Sequence, residues 1–129
     1  MFWLVFLTAF LLDQFTKLLA PLYVEVSLNP GISFGWLSQL PFGLTTFLLI
    51  VLMVGIAISF RREWGRYQLI SGLFWAGAIS NLGDRLLLGG VSDWLSLPYF
   101  TVKNNLADIY LSVALLMLLV QELRSHHEN

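Results

Sequence analysis

Residues 42–60 read FGLTTFLLIVLMVGIAISF, a stretch without one charged side chain. Crossing the hydrocarbon core of a bilayer, about 30 Å thick, takes about 20 apolar residues as α-helix, and this stretch has that length. Three others approach it: Phe2 to Ala20, Tyr67 to Leu88 and Asn105 to Gln121. Across the 129 residues, hydrophobic types make up 57% and charged types 12%, and mean hydropathy is +0.76. Soluble globular domains carry about 25% charged residues. The predicted fold class is therefore an all-α membrane protein of one domain, residues 1–129, with four transmembrane helices at about 2–20, 42–60, 67–88 and 105–121.

Charge and composition exclude several functions. A net charge of −1 argues against a nucleic-acid partner. The absence of cysteine removes disulfides, thiol nucleophiles and thiolate-bound metals. The first apolar run lacks a basic leader and carries Asp13 and Lys17, so it reads as a retained span rather than a cleaved signal. His126 and His127 sit in a polar tail with only Glu122 and Glu128 for company; a solvated tail is expected there, with no metal and no cofactor.

Loop charges orient the spans. Arg61, Arg62 and Arg66 crowd the turn between the second and third stretches, which the positive-inside tendency places in the cytoplasm. Both termini are then cytoplasmic, with residues 21–41 and 89–104 outside; Arg124 in the tail agrees. Trp94, Tyr99 and Phe100 suit an interfacial belt.

In this topology the polar residues converge on the outer face. Asp13 lies on the order of 10 Å inside the outer helix end and Asp108 on the order of 5 Å. Asn81, Asp84 and Arg85 occupy the outward end of the third helix, Asn29 lies in the first outer loop, and Asp93 in the second. Ionisable groups next to hydrocarbon are expensive and mark functional sites. Asp93 and Asp108, bracketing one short segment, look like a catalytic pair.

Local spacing refines this. Asp13 and Lys17 stand i, i+4 with the acid first, the favourable order for a helical ion pair; a structural pair that lets Lys17 snorkel outward is the alternative role. Arg85 has a planar fork suited to a phosphate or peptide carbonyl, and it could equally neutralise Asp13 or Asp84. Asn105 stands three residues before Asp108, where its amide can orient that carboxylate. Gly72, Ala76, Ser80 and Gly83 form a small-residue stripe that permits close helix packing. Tyr23–Leu28 alternates polar and apolar residues, Asn29-Pro30-Gly31 signals a turn, and Ile32–Trp36 resumes alternation. A small extracytoplasmic β hairpin or cradle in the first outer loop is expected.

Four boxes carry a family resemblance: Asp13-Gln14-Phe15-Thr16-Lys17; Asn29-Pro30-Gly31-Ile32-Ser33-Phe34-Gly35; Asn81-Leu82-Gly83-Asp84-Arg85 with Gly89, Val91, Asp93 and Trp94; and Asn105-Leu106-Ala107-Asp108. In this order they resemble the bacterial signal peptidase II family of intramembrane aspartyl proteases, over nearly the whole chain. The resemblance implies that Asp93 and Asp108 form the catalytic dyad. It implies a substrate groove lined by Asn29, Gly31, Asn81, Arg85 and Asn105, with Asp13, Lys17 and Asp84 supporting it. It also implies an inner-membrane enzyme, sensitive to globomycin, whose partners are membrane lipid and the signal peptides of diacylglyceryl-modified prolipoproteins, cut before the lipidated cysteine. The chain departs from the family pattern at Ser80 (usually Gly), Asn104 (usually Phe) and Trp94 (commonly Phe), and its outer loops are compact.

The chemistry is consistent with two carboxylates alone. No histidine lies near the outer face, so a Ser–His or Cys–His pair is unavailable. Two carboxylates a few ångströms apart can share one proton, so that one activates water and the other donates to the oxyanion. The titration belongs to the pair. A small transporter would place polar groups at several depths, whereas the inner halves of the four stretches are almost wholly apolar. A non-catalytic lipoprotein-binding relative is the other alternative, against which stands the presence of both carboxylates.

Overall fold

The computed structural model describes residues 1–31, 39–96, 98 and 102–127, with side chains through 124. Ile32–Trp36, Tyr99, Phe100 and the His126 and His127 side chains lie outside the described residues. Among the described residues, five α-helices and four short strands follow one another: α1 (Phe2–Leu19), β1 (Ser27–Asn29), α2 (Phe42–Ser59), a single turn α3 (Glu63–Arg66), α4 (Gln68–Leu88), β2 (Val91–Asp93), β3 (Leu95–Ser96), β4 (Lys103–Asn104) and α5 (Leu106–His127).

Local chemistry sets the boundaries. α1 runs into a 3₁₀ turn at Ala20–Leu22 that holds Pro21 near its start. Pro41 takes an extended conformation as the residue before α2, a position where its missing N–H costs no helical bond. α4 stops at Gly89, whose φ of 78° is left-handed and whose N–H closes on the Arg85 carbonyl at 3.1 Å; glycine reaches that conformation without a Cβ clash. α5 runs past the apolar run that ends at Gln121, because Glu122, Leu123 and Arg124 are themselves good helix formers.

α4 is the central element. It packs along α1 and α5, while α2 touches it sparsely. The packing exploits missing side chains: a Cβ on Gly72 would fall 2.7 Å from Val5 Cβ, and one on Gly77 would fall 2.6 Å from the Ala107 carbonyl oxygen. Ala76 and Ser80 are fully buried on the same helix. The small-residue stripe thus serves close approach as far as Ser80; at Gly83 nothing lies within 4 Å of an added Cβ. An apolar cluster of Ile70, Phe74, Ala114 and Leu118 joins α4 to α5, with Trp64 stacked on Phe74 at 5.0 Å.

Among the described residues, three helical segments are long and apolar enough to cross a membrane: Phe2–Leu22, Phe42–Ser59 and Leu106–Arg124. Their outward faces carry exposed Leu, Val, Ile and aromatic side chains. α4 differs because its neighbours shield it. It buries Ser71, Ser80, Asp84 and Arg85, and a helix enclosed by helices has less need of an apolar surface.

The strands make two antiparallel ribbons. β1 pairs with β2, Ser27 opposite Asp93 and Asn29 opposite Val91, and β3 pairs with β4, Leu95 opposite Asn104. The strand expected over Tyr23–Leu28 is observed only as Ser27–Asn29, which shares Ser27 and Leu28 with it and takes in Asn29 from the expected turn. Among the described residues its partner comes from the segment after α4, not from its own loop. That pairing brings Asn29 and Asp93 to the same ribbon.

The glycine packing makes a contrast that melting curves can read. A methyl at position 77 meets the Ala107 carbonyl and Leu111 Cγ at 2.6 and 2.9 Å, so Gly77→Ala should destabilise by about 1–3 kcal/mol through overpacking. Gly83→Ala should be neutral or stabilise by up to about 1 kcal/mol, the helix-propensity gain. Equal melting temperatures for the two variants in detergent would remove the close α4–α5 contact from the account.

Candidate active site

Asp93 and Asp108 line one cavity of about 260 Å³. At its polar end stand Asn29, Asn81 and Arg85; its walls are apolar, from Met53 and Ile56 of α2, Phe74 and Ala78 of α4, and Leu111 and Leu115 of α5. The cavity lies where α2 stands off from α4 and α5.

Asn105 bridges the two aspartates. Its Oδ1 accepts the Asp108 N–H at 3.0 Å, capping the first turn of α5, and its Nδ2 donates to Asp93 Oδ1 at 2.7 Å. The expectation that this amide orients the Asp108 carboxylate is modified: it fixes the Asp108 backbone and donates to the Asp93 carboxylate. Asn29 Nδ2 donates to Asp93 Oδ2 at 3.0 Å, while its Oδ1 accepts the Gly31 N–H at 2.9 Å in a tight turn. Asn81 Nδ2 donates to Asp108 Oδ1 at 2.9 Å. Both Asp93 oxygens are thus hydrogen-bonded, and the residue is 1% exposed. Burial pushes its carboxyl above the ordinary carboxylate range, against the lowering exerted by the Asn29 and Asn105 bonds and by the Lys17 and Arg85 charges.

Beneath this pair lies a second polar layer. Lys17 Nζ contacts Asp13 Oδ2 at 2.7 Å, Asp84 Oδ2 at 2.9 Å and Asn81 Oδ1 at 3.0 Å. Asp13 also accepts Ser80 Oγ at 2.5 Å and the Ala107 N–H at 2.8 Å, so it fixes the start of α5 from α1. Asp84 accepts the Ser92 N–H at 3.2 Å, next to Asp93. Neither acid needs Arg85: both pair with Lys17, and the Arg85 fork donates to the carbonyls of Pro30 (3.0 Å) and Gly31. Arg85 therefore clamps peptide carbonyls of its own chain and holds the Asn29–Gly31 turn against α4.

Sequence reading missed two participants. Gln14 Nε2 donates to Ser80 Oγ at 2.7 Å and Asp84 Oδ1 at 3.2 Å; an amide inside an apolar span was the available signal. Ser80 is the other. Its hydroxyl supplies the donor to Asp13 that a glycine would lack, so this departure from the family pattern adds a bond to the network. The departures at 94 and 104 are less settled: Trp94 N–H meets the Asn104 carbonyl at 2.9 Å, and both side chains hold a buried polar atom without a hydrogen bond among the described residues.

Comparison with known proteins bears on this arrangement. The profile of the signal peptidase (SPase) II family matches residues 5–124. The lipoprotein signal peptidase of Chlamydia trachomatis serovar D is 34% identical over 121 residues, which cover 88% of this chain and 69% of that protein. The lipoprotein signal peptidase of Aquifex aeolicus is 36% identical over 134 residues, covering 88% and 80%. A bacterial membrane enzyme solved by the in meso method at 2.3 Å resolution superposes with a TM-score of 0.80 at 20% identity, covering 99% of this chain and 90% of that one, a likeness of fold. With the family profile spanning nearly the whole chain and such relatives beside it, the protein belongs to the signal peptidase II family.

Proposed function

We propose that this protein is an aspartic endopeptidase of the inner membrane that cuts the signal peptide from diacylglyceryl-modified prolipoproteins, before the lipidated cysteine. Family membership makes it a signal peptidase of lipoprotein processing; the aspartic chemistry and the substrate's lipid are our inference. The observation that carries it is the cavity that Asp93 and Asp108 both line, with Asn105 donating to the Asp93 carboxylate and accepting the Asp108 N–H, at the polar end of an otherwise apolar groove.

In this reading all four long helices span the bilayer, α4 being the shielded one, and the integral-membrane peptidase domain takes the whole chain. Both termini face the cytoplasm, and the ribbons form a cradle at the outer leaflet. A signal peptide enters sideways past the loosely packed α2, leaving its acyl chains in lipid. Its scissile peptide group meets the two carboxylates. One takes a proton from water as the oxygen attacks the carbonyl carbon; the other protonates the carbonyl oxygen. Asn29, Asn81 and Asn105 hold both carboxylates in the geometry this requires. Arg85 and Gly31 shape the loop above, and Asp13, Lys17 and Asp84 support it from below.

The decisive assay follows cleavage of a diacylated prolipoprotein by purified protein, with a globomycin-like cyclic peptide as control. Asp93→Asn and Asp108→Asn should each abolish turnover while the protein still inserts and melts cooperatively. Asp108→Asn is the cleaner variant: its oxygen can still accept from Asn81, whereas an amide at 93 sets an NH₂ against the Asn29 or Asn105 donor. Turnover near wild-type in either variant removes the aspartic mechanism.

Stability against pH gives an independent reading of Asp93. Its folded pKa is raised, so the fold favours the protonated form. That contribution is complete below the value for a free aspartate and is lost as pH rises through the folded value. The melting temperature should fall across this window, and Asp93→Asn should flatten the fall. An identical slope in the variant would mean that other groups set it.

Orientation is tested with thiols, since the chain has none of its own. Ser27 and Arg62 are both exposed. Cysteines placed singly at these positions should react with an impermeant reagent from opposite sides of the membrane. Labelling from one side would reverse the placement of the site at the outer leaflet.

A further inference from the structure

Lys17 has no direct part in the chemistry just described, yet it is buried and its ammonium is fully engaged. An ammonium group carries three N–H bonds, and Lys17 offers them to three acceptors: Asp13, Asp84 and Asn81. The third contact has a consequence for the site. A carboxamide has one oxygen and one NH₂ group, so with Asn81 Oδ1 on the ammonium, Nδ2 must face the other way, where it meets Asp108 Oδ1. Turning the amide over would set an NH₂ against the ammonium and a carbonyl oxygen against the carboxylate. Both contacts would be repulsive, so the amide has one orientation.

We propose that Lys17 is a positioning residue for peptide hydrolysis: acting through Asn81, it holds the Asp108 carboxylate in place as the proton-accepting member of the pair. The inference rests on Asp93 and Asp108 being the catalytic pair. The two carboxylates are not equivalent. The amides on Asp93 have their oxygens held by the neutral backbone N–H groups of Gly31 and Asp108; the amide on Asp108 has its oxygen held by a cation. A donor polarised in that way bonds an anion more strongly. The charged groups around the pair are Asp13 and Lys17 from α1, Asp84 and Arg85 from α4, and the two aspartates themselves, from β2 and α5.

The hydrolysis then balances. Asp108 takes a proton from water while the water oxygen bonds to the carbonyl carbon, and Asp93 gives its proton to the carbonyl oxygen, leaving a neutral diol. On collapse the C–N bond breaks, the amine leaves with the proton from Asp108, and Asp93 regains one from a diol hydroxyl. Both residues end as they began.

Lys17→Met alone would strand Asp13 and Asp84 without a countercharge, and loss of the fold would follow from that. Two variants avoid this. Lys17→Met/Asp84→Asn keeps the cluster at its formal charge, one cation and two carboxylates giving way to one carboxylate. Asn81→Leu leaves both Lys17 ion pairs intact and removes the third Lys17 contact together with the donor to Asp108. Each should lower kcat roughly ten- to a hundredfold, the size expected when an orienting group is lost, with KM changed by less than about threefold. Combining all three substitutions should cost no more than the larger loss, since one chain of contacts has been cut twice.

Wild-type kcat in a folded Lys17→Met/Asp84→Asn variant, or in Asn81→Leu, overturns the relay, as do losses that multiply in the combination. Should the double variant fail to fold, Lys17→Met/Asp13→Asn, which keeps the same formal charge, takes its place, because Asn81→Leu removes the donor to Asp108 whether or not Lys17 anchors it. Asp108→Asn is assayed beside them: if it retains activity the aspartic reading itself falls, and if it is inactive while Asn81→Leu is undiminished only the role of Lys17 falls.

Discussion

Three asparagines can aim their NH₂ groups at two carboxylates only because each carboxamide oxygen is already taken. Asn29 Oδ1 is held by the Gly31 N–H, Asn105 Oδ1 by the Asp108 N–H, and Asn81 Oδ1 by the Lys17 ammonium. The two groups of an amide look alike in shape, and an unanchored one can turn over and offer its oxygen to a carboxylate. Anchoring removes that freedom at all three positions. Each anchor comes from a different element: the β1 turn, the first turn of α5, and α1. The geometry around Asp93 and Asp108 is therefore a statement about how those elements are held relative to one another.

What holds them is a polar layer in a protein whose outer surface is apolar. A buried charge without partners costs several kcal/mol, and here the layer is closed on itself. Lys17 meets two carboxylates and an amide; the same Asp13 and Asp84 oxygens also accept from Ser80 and the Ser92 N–H, and their other oxygens accept from the Ala107 N–H and Gln14. Two of those N–H groups belong to segments that carry the aspartates: Ala107 precedes Asp108, and Ser92 precedes Asp93. The layer below thus fixes the backbone on which the upper carboxylates sit. α4 contributes side chains to both layers, Asn81 above and Ser80 and Asp84 below, which explains why it is central.

Much of this was legible in the sequence, for reasons that differ by residue. Three of the apolar stretches announce helices long and apolar enough to cross a bilayer, and the stretch from Tyr67 to Leu88 forms a helix without reaching that hydropathy. Asp13 and Lys17 announce their pairing through helical spacing. The convergence of Asn29, Asn81, Arg85, Asp93, Asn105 and Asp108 followed from orientation alone. The partners did not. Spacing within one helix gives no account of which acid a lysine meets on another, so the role of Arg85 was left between substrate contact and neutralising Asp13 or Asp84, whereas it donates to Pro30 and Gly31. The pairing of β1 with β2 was also hidden, because a three-residue strand carries no sign of a partner some sixty residues away. Gln14 and Ser80 were overlooked for a related reason: a hydroxyl or an amide in an apolar helix is informative only once the facing residue is known.

The position of Arg85 changes what the site asks of a substrate. With its fork engaged by two carbonyls of the first outer loop, the guanidinium joins α4 to the turn that carries Asn29, and Asn29 in turn donates to Asp93. Anything that drew Arg85 toward a substrate carbonyl would loosen that turn and with it one of the two amides on Asp93. Substrate contact and site integrity therefore compete for the same five N–H bonds of one side chain. The apolar groove below imposes a matching direction of approach. Its walls belong to α2, α4 and α5, and α2 is the helix least tied to the rest, which on the proposed reading is the side from which an apolar segment brings its peptide bond to the two carboxylates.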